Sequence, residues 1–421
     1  MNKLIQLLSE NVQVSDYKID IHRKESYELF FVKGKLETVR CTDTCDKEVT
    51  VYADHEGYRG DSQFFIYPST TEEEIEKLIR EAVQKALLIN NQAFTIPGAE
   101  TGCFTVESDM ADRPAGELAA VIGRTVFEAN QIPGGSLNSV EVFVNKHTEQ
   151  ILNSRGLHKT QVRFDAMVEA IPTYNGPEQS VELYEQYNFA TLDLDAIRRE
   201  IGEKMEQVKA RYEAKAPESE LSCPVVLNIQ EVSSLMQQIA WDLNYAAVYS
   251  HSNLFKKGDS IQKEILGDPI SITMAGQVPG CVRSRCFDSD GLSLGSVRLV
   301  EQGKAVNYFG PNRYGQYLNE VPTGALPCLC LDPGTAEMPQ GQWLEVISMS
   351  GLQVDFYSDY IGGEIRLAYL HGPEGVRPIT GISISGSVSE ALNKIRLSCD
   401  TVTYGGYSGP GRAILEGLKI F

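Results

Sequence analysis

The stretch that decides the N-terminal fold is YELFFVKGKLETVR, residues 27–40. Apolar and β-branched residues on both sides of Lys33-Gly34 predict two strands, Tyr27–Val32 and Lys35–Arg40, joined by a tight turn. Two further runs of β-forming residues flank this pair in the sequence, Tyr17–Ile21 and Glu48–Tyr52. The chain is therefore expected to begin with an antiparallel meander of short strands.

Helical patterns follow the meander. After Pro68, the hydroxyl residues Ser69 to Thr71 offer an N-cap, and Glu72–Glu74 place acids in the first turn, where the helix dipole favours them. Apolar residues at helical spacing extend this helix to about Asn90. Two more helices and two intervening strands are predicted in the first half of the chain: helices Ala115–Asn130 and Leu194–Tyr212, and strands Ser139–Val144 and Gln161–Ala170.

A domain boundary is predicted at Ala214–Ser219, which is polar and contains a helix-terminating proline. It divides the chain into an N-terminal domain, residues 1–220, and a C-terminal domain, residues 221–421. The second part starts with a strand at Pro224–Asn228 and one helix at about Gln230–Tyr249. Frequent Gly and Pro then separate short β-branched runs: Ser296–Val300, Gly363–Ala368 and Gly381–Ser385. The expected fold is α+β, with a C-terminal sandwich or barrel.

The charge balance limits the partners. The 57 acidic and 38 basic residues give a net charge of -19, which disfavours direct binding to a nucleic-acid backbone, because that requires clustered Lys and Arg. No apolar run approaches the ~20 residues of a membrane-spanning helix. Met1–Asp16 lacks the apolar stretch of a secretory signal. The cytoplasm is the expected compartment.

The nine cysteines are scattered and odd in number, so reduced thiols are expected. Cys281 with Cys286, and Cys328 with Cys330, leave a four-thiolate zinc site open as a minor alternative, although neither pair has the two-residue spacing of a zinc knuckle. Alternation along a strand explains Cys328 and Cys330 better, since it places both on one face as small core residues.

Several local signatures occur together in an order and spacing that resemble the TldD/PmbA family, whose members are also described as modulators of DNA gyrase. The residues that carry the resemblance are ELFFVKGKLE (28–37), NSRG (153–156), FDSDG (287–291), GISISG (381–386) and ILEGLKI (414–420). They run nearly from end to end of the chain. The resemblance implies a place in a two-subunit protease.

The catalytic member of that family carries H-E-x-x-x-H on the first helix of its C-terminal domain, where two imidazoles hold zinc and the glutamate activates water. When the helix is laid over this pattern, the motif positions fall on Gln237, Gln238 and Asp242. Neutral amides bind zinc poorly and cannot accept the proton of the water. These positions are expected to be a degenerate metal site that contacts a peptide or a partner. No catalytic residue, metal or cofactor is expected.

A second departure from the family pattern lies in the C-terminal tail. The catalytic member of the family looks to take its third zinc ligand from a cysteine near the C-terminal tail. In this chain Gly405–Gly411 contains no cysteine, and the nearest thiol is Cys399. The resemblance therefore implies the TldE-like (PmbA-like) half of the family. The expected partners are a TldD-like zinc protease subunit and a peptide or unfolded substrate, within a homo- or hetero-oligomer. A stand-alone peptide-binding or regulatory protein is the alternative.

Asp288, Asp290 and Gly291 could suggest a calcium loop. The twelfth position of such a loop falls on Leu299, where an acid is required. A turn that joins two strands is the favoured interpretation.

Overall fold

The computed structural model describes residues 1–129 and 132–421. The helices are α1 Asn2–Glu10, α2 Glu72–Ala86, α3 Ala115–Glu128, α4 Leu194–Glu213, α5 Ile229–Asp242, α6 Tyr245–Tyr249, α7 Asn312–Tyr317 and α8 Val388–Lys394. The strands before α5 are β1 Asp16–Val32, β2 Lys35–His55, β3 Tyr58–Ile66, β4 Thr101–Thr105, β5 Gly135–Asn153, β6 His158–Asn175, β7 Ser180–Glu182, β8 Glu185–Phe189 and β9 Val225–Leu227.

The strands after α5 are short, with one exception. They are β10 Ile272–Ala275, β11 Ser296–Glu301, β12 Lys304–Ala305, β13 Cys328–Leu331, β14 Trp343–Met349, β15 Gln353–Asp355, β16 Tyr360–Gly372, β17 Gly375–Ile379, β18 Ile382–Gly386, β19 Arg396–Leu397, β20 Val402–Tyr404, β21 Tyr407–Gly409, β22 Ala413–Leu415 and β23 Lys419–Ile420. The predicted α+β class, with a β-rich C-terminal part, is confirmed.

The N-terminal sheet has the order β3-β2-β1-β5-β6-β4, with β7 and β8 also paired to β6. The tight turn at Lys33-Gly34 is confirmed, because φ is 49° at Lys33 and 76° at Gly34. The prediction of short strands was wrong. β1 and β2 are single strands of 17 and 21 residues, and β1 pairs with β2 from one end of β1 to the other.

The polar middle of this hairpin explains the error. The segments around Arg23 and Asp43 lack the apolar alternation of a half-buried strand. Their backbones nevertheless pair, and Arg23 Nε donates to Asp43 Oδ1 at 2.7 Å across the strands. Backbone pairing with β5 on the other side of β1 holds the same segment extended.

The helices follow their end signals more closely than their apolar patterns. At α2 the Thr71 side chain accepts from the amide of Glu74, and the Glu74 side chain accepts from the amide of Thr71, as a capping box. This helix ends at Ala86 and not near Asn90, and beyond it the carbonyl of Asn91 accepts from the Arg59 amide. The predicted end of the second helix, Asn130, lies outside the described residues.

One face of the N-terminal sheet is apolar and carries α3 and α4 over a core that includes Val142, Val168 and Ile201. Since side chains alternate between faces along a strand, the intervening residues lie on the opposite face. That face is polar: it carries Lys18, Asp20, His22, Glu149, Lys159, Gln161 and Arg163.

The C-terminal part contains two sheets with α5 packed between them. The six-stranded sheet has the order β12-β11-β10-β13-β21-β20, and the other runs β19-β22-β9-β14-β16-β18-β23, with β15 and β17 paired to β16. Val232, Leu235, Met236 and Ile239 of α5 are fully buried in the shared core. Helix α5 contacts β9 of one sheet and β10 and β13 of the other.

The single helix predicted at Gln230–Tyr249 is two helices. The first ends at Asp242, and the Asn244 side chain accepts from the Ala246 amide to cap the second. Asparagine is a strong N-cap residue because its side-chain oxygen satisfies an amide that lacks a helical partner. The two cysteines of β13 differ in burial: Cys328 is buried and Cys330 is half-buried.

A loop of the C-terminal part docks on the polar face of the N-terminal sheet. We call residues 285–293 the docking loop. Lys18 Nζ donates to the carbonyl of Ser289 at 2.7 Å, and Lys159 Nζ donates to the carbonyl of Gly291 at 2.8 Å. Arg285 Nη1 contacts both carboxylate oxygens of Glu149, at 2.6 and 2.7 Å. These bonds fix the two parts of the chain relative to each other.

The docking loop contains the predicted turn at Asp288. Its Oδ1 accepts from the amides of Asp290 and Leu292, both at 3.0 Å, and its Oδ2 accepts from the Ala325 amide at 2.9 Å. The turn is confirmed. Backbone amides donate to both oxygens of the Asp288 carboxylate, which a calcium ion would need as ligands. Among residues 1–129 and 132–421, no helix combines the length and apolar character required to cross a bilayer.

Candidate functional site

Helix α5, on which the predicted site positions Gln237, Gln238 and Asp242 lie, is held firmly at its start. The Asn228 side-chain oxygen accepts from the amides of Gln230 and Glu231, while its Nδ2 donates to the carbonyl of Ile347 at 3.0 Å. One residue thus caps α5 and ties it to β14. The apolar stripe of α5 then fixes which face is buried.

The three motif positions have different surroundings. Gln237 is half-buried, Gln238 is exposed, and Asp242 is half-buried at the end of α5. Gln238 and Asp242 are one turn apart and share a face of the helix. Asp242 is already engaged, because its two oxygens accept from the amides of Leu254 and Phe255 at 2.7 and 2.8 Å.

These amide bonds define what Asp242 does in this structure. Burial raises the pKa of Asp242, and the two amide donors partly oppose that rise. The carboxylate holds the loop after α6, so it is not free to join a ligand set with the two glutamines. Across the described part of the chain, no group of three or more His, Cys, Asp or Glu side chains is arranged to hold a metal ion.

The tail that lacks the expected cysteine forms two strands. β21 pairs in parallel with β13 and in antiparallel with β20. Tyr407 is 1% exposed, and its hydroxyl donates to the carbonyl of Pro410 at 3.0 Å. Cys399 is exposed and lies before β20. The tail thus contributes one buried tyrosine, Tyr407, and one exposed tyrosine, Tyr404, which lines a cleft beside α5.

We call this feature the intersheet cleft; its volume is about 760 Å³. It lies between α4 with β8 on one side and β14, β16 and the start of α5 on the other. Its lining is mostly polar: Glu182, Leu183, Tyr184, Glu185, Gln186, Asn188, Lys204, Gln207, Arg211, Gln230, Ile347, Ser348, Met349, Glu364, Arg366, Leu367 and Tyr404. The sequence gives no periodic signal for it, because its walls come from segments far apart in the chain.

The charges in the cleft lining are balanced. It contains three acids and three bases, namely Glu182, Glu185, Glu364, Lys204, Arg211 and Arg366. Lys204 Nζ lies 2.8 Å from Glu185 Oε2, and Arg211 Nη1 donates to Thr380 Oγ1 at 2.6 Å. Arg366 is exposed. The cleft can therefore form hydrogen bonds and ion pairs with groups of either sign.

A buried carboxyl group lies beside the cleft. Glu231, the residue after Gln230, is 5% exposed, and within the described chain its Oε2 has no hydrogen-bond partner. Burial raises the pKa of Glu231 to about 7, while the charge of Lys204 opposes that rise. Burial raises the pKa of Tyr404, and the charges of Glu185 and Glu231 add to that rise.

Sequence reasoning missed Glu231, Lys204 and Tyr404. A glutamate three residues after an asparagine cap normally indicates a capping box, so the sequence pattern around Glu231 pointed to helix structure and not to a site. The unusual feature is burial without a partner for Oε2, and it depends on how α5 packs. No local pattern encodes that packing.

Residues 220–420 match the family model described as the PmbA/TldA metallopeptidase C-terminal domain. The C-terminal part of the chain therefore fits the TldD/PmbA family. A comparison with curated protein sequences found no match. Solved structures extend the likeness in fold beyond the matched residues to the whole chain.

Three of these structures are similar over all of this chain. TldE from Thermococcus kodakarensis has a TM-score of 0.78 at 14% identity, with 100% of this chain and 99% of that chain covered. A candidate modulator of a DNA gyrase from Thermotoga maritima has 0.79 at 16%, with 100% and 99% covered. Another from Bacteroides thetaiotaomicron has 0.79 at 12%, with 100% and 97% covered. At these identities the likeness concerns the fold.

Proposed function

We propose that this chain is the non-catalytic, TldE-like subunit of a cytoplasmic TldD/TldE-type metalloprotease assembly that acts on peptides or unfolded proteins. The proposal rests on the residue types and hydrogen bonds at the three motif positions of α5. Its motif positions present two amides, and the one carboxylate is bonded to the amides of Leu254 and Phe255. A zinc-activated water needs imidazole or thiolate ligands and a free base.

The proposal assigns to this chain a binding role beside a zinc-bearing TldD-like subunit. In this proposal Gln237 and Gln238 contact a peptide or the partner, and the broad partner surface comes mainly from the part after Ser222. We also propose that residues 1–220 and 221–421 are the two domains. Limited proteolysis that cuts first near residues 214–220 would support this division, whereas first cuts elsewhere would count against it.

The test mixes the purified chain with its zinc-bearing relative and follows cleavage of an unstructured peptide. The chain alone is expected to be inactive and to raise the activity of the relative. As a control, the relative carries glutamine in place of its motif glutamate, so that activity from the mixture must disappear. Activity of this chain alone that persists after removal of the partner would overturn the proposal.

A matched variant tests the pseudo-active site. Gln237→His with Gln238→Glu restores two motif positions and leaves the Asp242 contacts intact, so the protein is expected to fold and to remain inactive alone. Hydrolysis by this variant would show that one imidazole and one base suffice. A stand-alone binding protein is the second candidate, and co-purification without any H-E-x-x-x-H protein would favour it.

A further inference from the structure

One side of β2 is left unpaired over part of its length. β2 pairs with β1 from Lys35 to Tyr52, whereas β3 pairs with its outer side only from Lys47 onward. Among the described residues no other strand and no backbone group bonds to that outer side at residues 35–46. We call residues 35–46 the open edge. An edge of this kind presents free N–H and C=O groups, with which another strand can pair.

The side chains of the open edge suit such pairing. It contains no proline, which would remove an amide donor from the edge. Its central charges, on Arg40 and Asp43, are already used in ion pairs with β1. Its end charges, on Lys35 and Asp46, have no ion-pair partner in the described part of the chain. A strand that brings an acid to Lys35 and a base to Asp46 would pair both.

A second copy of the open edge meets this requirement. When two copies run antiparallel about a two-fold axis at Cys41, directly opposite residues share a face of the combined sheet. Glu37 has no partner on β1, because the strand bulges there. With that bulge kept, Lys35 of each copy lies opposite Asp46 of the other, and every other residue of the open edge except Glu37 also has a partner. Two ion pairs therefore form at the ends of one continuous pairing.

The ends of the open edge define this register. The turn at Lys33-Gly34 lies directly before the open edge, so the chain of the second copy turns back before it reaches β3. A register centred on residue 40 places the two Arg40 side chains opposite each other, and like charges in that position are destabilising. A register centred on residue 42 places residue 36 opposite residue 47, whose outer side is already paired with β3. The register centred on Cys41 avoids both conflicts.

The charge of the open edge also favours a copy of the same chain. The whole chain carries a net charge of -19, so two copies repel each other over most of their surface. Residues 35–46 carry three acids and two bases, so this stretch is close to neutral. We propose that two copies of this chain associate through their open edges in an antiparallel pair centred on Cys41. The N-terminal sheets of the two copies then form one continuous sheet.

This association uses residues other than those of the proposed protease interface. That interface lies mainly after Ser222, whereas the open edge belongs to the N-terminal sheet. The inference does not depend on the proposed function, because it follows from the pairing and the charges of β2. Tests on the chain alone therefore bear only on the open edge.

The first experiment measures self-association of the full chain by sedimentation equilibrium under reducing conditions. The wild type is expected to approach twice the mass of one chain as its concentration rises. Lys35→Glu and Asp46→Lys each place like charges at both ends of the pair, so each is expected to weaken the association roughly tenfold. The two changes shift the net charge in opposite directions, so general repulsion between acidic chains cannot explain a loss in both.

Mixing the two variants tests the register. Each end of a mixed pair again joins opposite charges, so the mixture is expected to regain the association of the wild type. Glu374→Lys is the control, because it makes the same charge change as Asp46→Lys in an exposed turn of the C-terminal part, and it should leave the association unchanged. A wild type that stays monomeric, or a loss that mixing does not reverse, overturns the proposal.

A second experiment uses the cysteines of the open edge. Opposite residues of antiparallel strands have Cβ atoms about 4.5–5.5 Å apart, so a short bismaleimide can join the two Cys41 thiols. Cys45→Ser retains Cys41 and is expected to give roughly tenfold more cross-linked dimer than Cys41→Ser. Cys45 instead faces Leu36 of the other copy, and the exposed Cys103 and Cys399 are present in both variants. Equal cross-linking of the two variants overturns the assignment.

A TldD-like subunit is the competing occupant of the open edge. If the wild type stays monomeric and Lys35→Glu no longer raises the activity of that subunit, the edge binds the subunit and the pairing of two copies is refuted. If two copies pair as described and the chain fails to raise this activity, the pairing stands and the subunit role is refuted.

Discussion

Replacement of Glu231 by glutamine should remove a pH-dependent weakness from the fold. Burial raises the pKa of this carboxyl from 4.5 to about 7, so the folded protein holds the proton more tightly than the unfolded chain does. Stability that depends on this group is complete below the unfolded value of 4.5. It is lost as the pH rises from there through 7, because the buried group must then ionise.

The size of the effect follows from the shift. One pKa unit corresponds to about 1.4 kcal/mol, so a rise from 4.5 to about 7 costs on the order of 3 kcal/mol at pH 8.5. At pH 5 Glu231 is still mostly protonated in the folded state, and it lowers the free energy of unfolding by only about 1 kcal/mol. Glutamine carries no charge at either pH. The stability difference between variant and wild type should therefore grow by about 2 kcal/mol between pH 5 and 8.5.

The assay is urea unfolding of wild type, Glu231→Gln and the exposed control Glu374→Gln at pH 5 and pH 8.5. Comparing each variant with wild type at one pH cancels the titration of all other groups. At pH 8.5 the midpoint of Glu231→Gln should lie higher relative to wild type than at pH 5, by roughly 1 M for a slope of about 2 kcal/mol per M. An equal offset at both pH values would refute the reasoning.

Three other outcomes are expected. Elemental analysis should find no stoichiometric zinc on α5, and one zinc lost on replacing the three motif positions would contradict this. Under denaturing, non-reducing conditions nearly all nine cysteines should react with a thiol reagent; four or more missing thiols would indicate an oxidising compartment. Asp242→Ala should lower the free energy of unfolding by about 1–3 kcal/mol and speed hydrogen exchange at the amides of Leu254 and Phe255, which lose their acceptor. Unchanged exchange at these amides would mean that another group accepts from them.

The sequence predicted features that are encoded locally. The Lys33-Gly34 turn needs residues that adopt positive φ, and the hydroxyl and acidic residues before α2 supply both halves of a capping box. Such signals lie within four residues of one another, so a single sequence reveals them. The family resemblance, which rested on short motifs spread over the chain, agrees with the match at residues 220–420.

The long strands and the cleft could not be predicted in this way. Polar residues in the middle of β1 and β2 conceal strands that are held by backbone pairing with neighbours. Glu231 is unusual only because the packing of α5 buries its carboxyl and leaves Oε2 without a hydrogen-bond partner among the described residues. Both facts arise from contacts between distant segments, and no periodicity reports them. The break after Asp242 depends on Asn244 acting as an N-cap and not as a helix residue.

The docking loop has a consequence for how freely its sequence can change. Lys18 and Lys159 donate hydrogen bonds to main-chain carbonyl oxygens of this loop. Every amino acid has such an oxygen. Ser289 can therefore be replaced by other residues while the angle between the two parts of the molecule is preserved. Gly291 is different: its φ is 84°, and a Cβ there would lie 2.2 Å from Leu157. Substitution of either lysine or of this glycine is therefore expected to change how the docking loop sits on the N-terminal sheet.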